Sequence, residues 1–285
     1  MKATLGEGPV WDAASGCLYF VDILDPHIHR LEVASGEKNS FPMDEEVGAI
    51  AICEDGGIVA AMRSGFAFID LDTGTITPIH DPEPDLPGNR FNDGKVDALG
   101  RFWAGTMDYD CEKETGALYR LNTDLSVEKM DSGYVCLNGP AFSPGGTRIY
   151  HTDSPRRVIY ASDLADGALS HKQRFVTFPA GWGAPDGMTV DSTGGLWVCH
   201  WDGARITRFT ADGTADQTVD VPARNVTSCC FGGENLSTLY ITTARYGLDE
   251  NTLKASPLNG SVFGVETGFC GFPSPRFQGR DLATN

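Results

Sequence analysis

Six short apolar segments recur along the chain at nearly constant intervals, and each has the composition of a buried β-strand. They are CLYFVD, GIVAAM, RFWAGTM, RIYHTD, LWVCHW and LYITTA. A turn rich in Gly, Asp or Ser precedes five of them, and GGENLST precedes the sixth. With Leu18, Ile58, Phe102, Ile149, Leu196 and Leu239 as equivalent positions, the successive intervals are 40, 44, 47, 47 and 43 residues. Intervals of this size are typical of β-propeller blades.

The segments that flank each repeat supply the other strands of a blade. A strand with alternating polarity follows each apolar segment, as in HIHRLEV and RITRFTA, and charged stretches such as EKNSFP suit an outer strand. Four antiparallel strands per unit and six units predict an all-β, six-bladed β-propeller. An ordinary β-sandwich is the alternative, but it does not account for six similar repeats.

The repeats predict one domain that occupies residues 1–285. The predicted blades are 5–43, 46–80, 91–131, 137–177, 185–222 and 226–285. Because only six residues precede Glu7, the tail, residues 268–285, is expected to complete the last blade.

Composition narrows the classes of partner. The net charge is −17, from 22 Lys and Arg against 39 Asp and Glu, and such a surface repels phosphate backbones, so no nucleic-acid partner is expected. No apolar run is long enough for a membrane helix and no signal peptide is recognised, so we expect a cytoplasmic protein without a membrane or obligate protein partner. The eight cysteines include no CxxC pair and fall mostly in apolar runs, which favours small buried side chains over a redox or zinc site.

The repeat register predicts which polar side chains meet at the propeller axis. The innermost strand of each blade starts at one face of the central channel, so residues just ahead of these strands are neighbours in space. Counting back ten to twelve residues from the equivalent positions gives Glu7, Val47, Asn92, Asn138, Asp186 and Thr227. Four of these six side chains end in a carboxylate or an amide.

Two carboxylates and two amide oxygens on one axis form a hard ligand set. Burying two carboxylates together is unfavourable without compensation, so a divalent cation explains the arrangement best. Oxygen ligands favour Ca²⁺, Mg²⁺ or Mn²⁺, with Zn²⁺ or Fe²⁺ as alternatives. The competing interpretation is that Asn-Gly and Asp-Gly pairs simply form turns. That interpretation does not explain Glu7, because glutamate is a poor turn residue.

Loops on the same face add a polar and aromatic rim to this predicted site. The rim consists of Arg90, Phe91, Asp108, Asp110, His151, Asp153, Trp182, His200 and Trp201. We interpret both histidines as ordinary strand-end residues. For Arg90, the alternative to a binding role is a surface ion pair with an acidic neighbour such as Asp85.

Several longer motifs resemble one known family. LGEGPVW, NRFNDGKVDALGRFWAGTMD, NGPAFS, PDGMTVD and TSCCFGG resemble the gluconolactonase, or SMP-30/regucalcin-like, family of sugar lactonases over residues 3 to about 265. The resemblance implies a six-bladed propeller and a metal site of Glu7, Asn138 and Asp186. It also implies that Arg90 binds substrate and that Asn92 binds either substrate or the metal.

The resemblance also implies that an acid after the GTM motif contacts sugar hydroxyls, which makes Asp108 and Asp110 further substrate-binding candidates, with Glu112 as the alternative. The expected reaction is hydrolysis of a sugar lactone to the aldonic acid. One divalent metal ion, with calcium favoured, would polarise the carbonyl, and Asp186 would be the general base. The alternatives are an organophosphate hydrolase on the same scaffold and a non-enzymatic Ca²⁺-binding or protein-interaction propeller. A serine hydrolase is disfavoured because no GxSxG motif occurs.

Overall fold

The fold is the predicted all-β, six-bladed propeller, seen in a computed structural model that describes residues 2–165 and 167–279. Within these ranges there are six antiparallel sheets and one short helix, α1 (Glu250–Ala255), which Asp249 caps by accepting a hydrogen bond from the Thr252 backbone N–H. None of the helical structure described is long and apolar enough to cross a membrane.

Each sheet is a blade, and its strands follow one another from the propeller axis outwards. The first three blades contain β1 (Gly6–Asp12), β2 (Cys17–Asp22), β3 (His27–Glu32), β4 (Lys38–Pro42), β5 (Val47–Ile52), β6 (Ile58–Met62), β7 (Gly65–Asp70), β8 (Thr75–His80), β9 (Asn89–Val96), β10 (Phe102–Asp108), β11 (Gly116–Leu121) and β12 (Val127–Tyr134). The last three contain β13 (Leu137–Phe142), β14 (Arg148–Asp153), β15 (Val158–Ala165), β16 (Ala168–Thr177), β17 (Ala184–Val190), β18 (Leu196–Trp201), β19 (Arg205–Phe209), β20 (Ala215–Asp220), β21 (Asn225–Gly232), β22 (Thr238–Ala244) and β23 (Phe263–Glu266).

The hydrophobic pattern follows the position of each strand within its blade. Second strands such as β2 and β10 are buried throughout, because both of their faces pack against neighbouring blades. Outer strands such as β4 and β20 alternate between exposed and partly buried residues, because one edge or face meets water. This difference explains why the second strands are the easiest to recognise in the sequence.

The six innermost strands, β1, β5, β9, β13, β17 and β21, pack against one another in a ring. The ring closes between the sixth and first blades, where Leu5 forms an antiparallel bridge with Ala244. The Thr227 hydroxyl also donates a hydrogen bond to the Gly6 carbonyl at 2.6 Å. The first and last blades therefore contact each other through backbone as well as side chains.

The described part of the tail does not complete the last blade, contrary to the prediction for residues 268–285. The sixth sheet contains β21, β22 and β23, and residues 268–279 add no strand to it. Residues 280–285 lie outside the described ranges. Residues 268–279, which we call the tail strap, instead run across the face opposite to the one at which the innermost strands begin.

Backbone hydrogen bonds join the tail strap to blades on both sides of the ring closure. The Cys270 carbonyl accepts from Ser192 N in the fifth blade at 2.8 Å, and Gly271 N donates to the Leu236 carbonyl in the sixth at 2.8 Å. Further along, the Phe277 and Gln278 N–H groups donate to carbonyls of the second and third blades at 2.9 and 3.0 Å. The strap thus links the end of the chain to blades formed much earlier in the sequence.

All six innermost strands contain one extra residue relative to their partner strands, at the same level. The register shifts lie between Glu7 and Val10, Val47 and Ala49, Phe91 and Asp93, Asn138 and Ala141, Pro185 and Met188, and Val226 and Cys229. Such β-bulges bend a strand and turn side chains in a new direction. The repeated bulges mark the level of the candidate site.

Candidate active site

The predicted metal ligands lie at the upper face, which we define as the face at which the innermost strands begin. Glu7, Asn138 and Asp186 belong to β1, β13 and β17, and their exposed fractions are only 4%, 3% and 5%. Asn92 on β9 is also buried. Of the remaining two register positions, Val47 is apolar and Thr227 uses its hydroxyl to hold the backbone beside Glu7.

Burial and mutual repulsion make this group of acids unfavourable on its own. Burial raises the pKa of Glu7 well above its usual range, and the nearby charges of Asp186 and Asp93 raise it further. The pKa of Asp186 is raised in the same way, by burial first and then by Asp93. The opposite charge of Arg90 only partly offsets these effects.

Asp93 is a third buried carboxylate that the sequence analysis did not single out. Burial raises its pKa to about 6, although Lys95 and the backbone N–H groups of Gly94 and Gly139 act in the opposite direction. These N–H groups donate to Asp93 at 2.7 and 3.1 Å. The signal in the sequence was that Asp93 directly follows Asn92. The β-bulge at that point determines the direction of each side chain, however, and the sequence does not show the bulge.

A chain of hydrogen bonds crosses the site from the third blade to the fifth. Arg90 Nη1 donates to Asn92 Oδ1 at 2.9 Å, and Asn92 Nδ2 donates to Asn138 Oδ1 at 2.8 Å. Asn138 Nδ2 donates to Ser154 Oγ at 2.9 Å, which in turn donates to the Pro185 carbonyl at 2.7 Å. The chain therefore ends at the residue before Asp186 and orients the amides of both asparagines.

Arg90 is held inside the site and does not form the surface ion pair with Asp85 that we considered. It is 7% exposed, donates to the Phe91 carbonyl as well as to Asn92, and lies over the ring of Tyr109 at 5.8 Å. The Tyr109 hydroxyl donates to Glu46 Oε1 at 3.1 Å. These contacts hold the guanidinium group at the edge of the upper-face site.

The two acids after the GTM motif differ in their surroundings. Asp108 Oδ2 accepts hydrogen bonds from the backbone N–H groups of Glu112 and Lys113 at 3.0 and 3.2 Å. These hydrogen bonds lower the pKa of Asp108, and the bond from the Glu112 N–H contributes most. Its carboxylate thus organises its own loop, whereas Asp110 is exposed on that loop beside Tyr109.

The two rim histidines are buried within their blades. His151 Nε2 lies 2.7 Å from the Tyr134 hydroxyl, and His200 Nδ1 lies 2.8 Å from the Trp182 carbonyl. Burial lowers the pKa of each histidine to about 4. Both are therefore neutral at pH 7, and their contacts are those of strand residues packed in the core.

Two pockets flank the site on the upper face. One, of about 300 Å³, is lined by Arg90 together with Arg63 and Glu83. The other, of about 750 Å³, reaches Ser154 and Ala184 and opens between the fourth, fifth and sixth blades. A third cavity, of about 630 Å³, lies under the tail strap at the opposite face, and none of the predicted metal ligands lines it.

The donor set fits a hard cation better than a soft one. Within residues 2–165 and 167–279 no group of three or more His, Cys, Asp or Glu side chains has a metal-binding arrangement. The candidate ligands are instead two carboxylates and one amide oxygen. Over the same ranges, neither Glu7 nor Asp186 forms an ion pair with a lysine or arginine, so the paired negative charge lacks a protein counter-ion at contact distance.

Comparison with known proteins identifies the family. The sequence profile of the SMP-30/gluconolactonase/LRE-like region matches residues 5–245. The chain is 36% identical to 6-deoxy-6-sulfogluconolactonase of Pseudomonas putida, over 97% of this chain and 96% of that protein. It is 34% identical to L-arabinolactonase of Azospirillum brasilense, over 98% and 93%.

The fold comparison agrees with the sequence comparison. The crystal structure of the calcium-binding protein regucalcin from Agrobacterium tumefaciens superposes with a TM-score of 0.93 and 30% identity. The superposition covers 97% of this chain and 95% of the other. The chain belongs to the SMP-30/gluconolactonase/LRE-like family.

Proposed function

We propose that this protein hydrolyses a sugar lactone to its aldonic acid and requires one divalent metal ion. The names of its relatives, a sulfogluconolactonase and an arabinolactonase, support the reaction class. The observation that carries the metal requirement is the pair of buried carboxylates, Glu7 and Asp186, each with a pKa raised by burial and neighbouring negative charge. Two such charges are stable together when a cation neutralises them.

Glu7, Asp186 and the amide oxygen of Asn138 would hold the ion. Oxygen ligands of this kind suit calcium first, with magnesium, manganese, zinc or iron as alternatives, and a structural relative is a calcium-binding protein. When bound, a divalent cation polarises a carbonyl oxygen or lowers the pKa of a water molecule.

Asp186 is the proposed general base. One of its oxygens would take a proton from the water that attacks the lactone carbonyl carbon. The ring C–O bond then breaks, and the ring oxygen takes up the proton that Asp186 removed from the water, so that it leaves as a hydroxyl group and Asp186 is a carboxylate again. One lactone and one water molecule thus yield one hydroxy acid.

Arg90 and Asn92 have different roles in this proposal. Arg90 lines the smaller upper-face pocket and would hold substrate hydroxyls in the reacting geometry. Asn92 already donates both amide hydrogens, to the Leu137 carbonyl and to Asn138 Oδ1. Asn92 is therefore a positioning residue for Asn138, and Asp110 is the acid after the GTM motif that remains open to substrate.

The test begins with protein stripped of metal by a chelator and refilled with single metals. Acid release from a panel of aldonolactones, followed with a pH indicator, is expected only in metal-loaded protein. No acceleration over spontaneous hydrolysis with any metal and any lactone would remove the enzymatic proposal. Calcium binding without lactone hydrolysis would instead favour a binding protein.

Two substitutions test the proposed base, which is also a proposed ligand, and a second member of the ligand set. Asp186→Asn is expected to abolish turnover, and Glu7→Gln to weaken metal binding measured by titration calorimetry, both with the native circular dichroism spectrum. Asp72→Asn, an exposed acid on the opposite side of the second blade, is the matched control and is expected to behave as wild type. Normal turnover in Asp186→Asn would show that the base is a different group.

A further inference from the structure

The larger upper-face pocket lies beside the candidate site, and Ser154 contacts both. Ser154, which lines this pocket, accepts from Asn138 and donates to the carbonyl before Asp186. Ala184, another lining residue, lies two positions before Asp186 on β17 and pairs with Trp201 on β18. A ligand in the site therefore lies next to about 750 Å³ of additional space on the side away from Arg90.

An aromatic pair forms one side of this pocket. The rings of Trp201 and Tyr246 lie with their centroids 6.5 Å apart and their planes at 54°. Tyr246 is 55% exposed, so much of its ring is open to a molecule in this pocket. Aromatic faces of this kind pack against the C–H groups of sugar rings, while the phenol hydroxyl remains available for hydrogen bonds.

Charged groups stand beside the aromatic pair. The Arg224 guanidinium and the Asp202 carboxylate form an ion pair in which both side chains are about half exposed. Together they present N–H donors and carboxylate acceptors to the pocket, which is the chemistry that recognises vicinal hydroxyl groups. A purely apolar ligand would cover this ion pair without forming hydrogen bonds to it, which disfavours such a ligand.

The turn that carries Trp201 is held in an unusual conformation. Asp202 and Ala204 both have left-handed backbones, with φ of 59° and 52°, although neither is glycine. Asn225 supports this turn, because its Oδ1 accepts from Asp202 N at 3.2 Å while its Nδ2 donates to the Tyr246 carbonyl at 2.9 Å. Strained turns that the surrounding structure supports are concentrated at ligand sites.

The volume of the pocket indicates the size of the ligand that it can bind. Pockets of about 300–1,000 Å³ hold drug-sized ligands, whereas a single aldonolactone has only about a dozen non-hydrogen atoms. We propose that this pocket is a subsite for a second, glycosidically linked sugar ring, so that the substrate class includes lactones of disaccharide aldonic acids. The inference rests on the proposed lactonase function and names the substrate of the same site.

The experiment compares cellobiono-1,5-lactone with glucono-1,5-lactone on metal-loaded protein. Wild type is expected to hydrolyse both. Tyr246→Ala is expected to lower kcat/KM for the disaccharide lactone about tenfold more than for the monosaccharide lactone, because it removes one aromatic contact. Tyr246→Phe, which keeps the ring, restores most of the difference. Leu99→Ala, at an exposed residue on the opposite face, is the control and leaves the ratio unchanged.

A binding measurement separates the two proposals. Tryptophan fluorescence titrated with cellobionate is expected to show saturable binding that Tyr246→Ala weakens, whether or not turnover occurs. Hydrolysis of gluconolactone with none of cellobionolactone, or equal losses for both substrates in Tyr246→Ala, would overturn the subsite and leave the lactonase proposal standing. Cellobionate binding without hydrolysis of either lactone would support the subsite and overturn the lactonase proposal.

Discussion

Phe277 anchors the tail strap to the second blade, and its truncation tests how much the strap stabilises the ring. The side chain is fully buried, and its ring centroid lies 6.2 Å from that of Phe68. Its backbone N–H donates to the Ile52 carbonyl at 2.9 Å, and its carbonyl accepts from Glu54 N at 3.0 Å. Phe277→Ala keeps both backbone bonds, so the substitution isolates side-chain packing.

The expected loss follows from complete burial. Replacing a buried phenylalanine by alanine lowers the free energy of unfolding by about 3–5 kcal/mol, because apolar contact is lost and a cavity remains. With a urea m-value of about 3 kcal/mol/M, a loss of about 4 kcal/mol lowers the unfolding midpoint by about 1.3 M. Such a loss is a large share of the roughly 5–15 kcal/mol that stabilises a typical domain.

The assay is equilibrium urea unfolding followed by tryptophan fluorescence at one fixed metal concentration, because bound metal raises the apparent stability. Ser274→Ala, at an exposed residue of the same strap, is the matched control and is expected to change stability by less than about 0.5 kcal/mol. A loss below about 1 kcal/mol in Phe277→Ala would refute the conclusion that this contact fastens the strap to the ring.

Two further predictions concern the site and the core. Gly48→Ala is expected to lower the free energy of unfolding by about 2 kcal/mol and to lower kcat/KM roughly a hundredfold. The reason is that a Cβ there would lie 2.5 Å from the Phe91 carbonyl oxygen and would displace the strand that carries Arg90, the residue we propose to bind substrate. Gly57→Ala, whose Cβ meets nothing closer than 3.5 Å, is the control, and equal kinetics in both variants would contradict this explanation. His151 has a pKa lowered to about 4 by burial, so the unfolded chain takes up the proton first and about 3 kcal/mol of stability is lost as pH falls from 6.5 to 4. Chemical unfolding of His151→Gln across this pH range is expected to show a loss of stability that is smaller than that of wild type by about 3 kcal/mol. The exposed His171→Gln is the control and should follow the wild-type curve. Parallel curves for all three proteins would disprove the assignment.

The sequence by itself determined the architecture and most of the residues at the axis. An apolar second strand recurs in each blade because both of its faces must be buried. This constraint makes the length of the blade repeat visible in the sequence. The register then brought Glu7, Asn92, Asn138 and Asp186 to one level, since equivalent positions of a closed ring share one face. The structure places all four in buried positions there.

Only the tertiary structure decided what depends on contacts between distant segments. Bulges in the innermost strands set the directions of neighbouring side chains and placed Asp93 beneath the site, because a one-residue insertion breaks the alternation on which strand prediction rests. Hydrogen bonds from backbone N–H groups hold the Asp108 carboxylate within its own loop. The described tail lies across the opposite face and not in its expected blade, because the buried Phe277 contacts a strand more than two hundred residues earlier. A local sequence pattern carries no information about the free energy of such a distant contact.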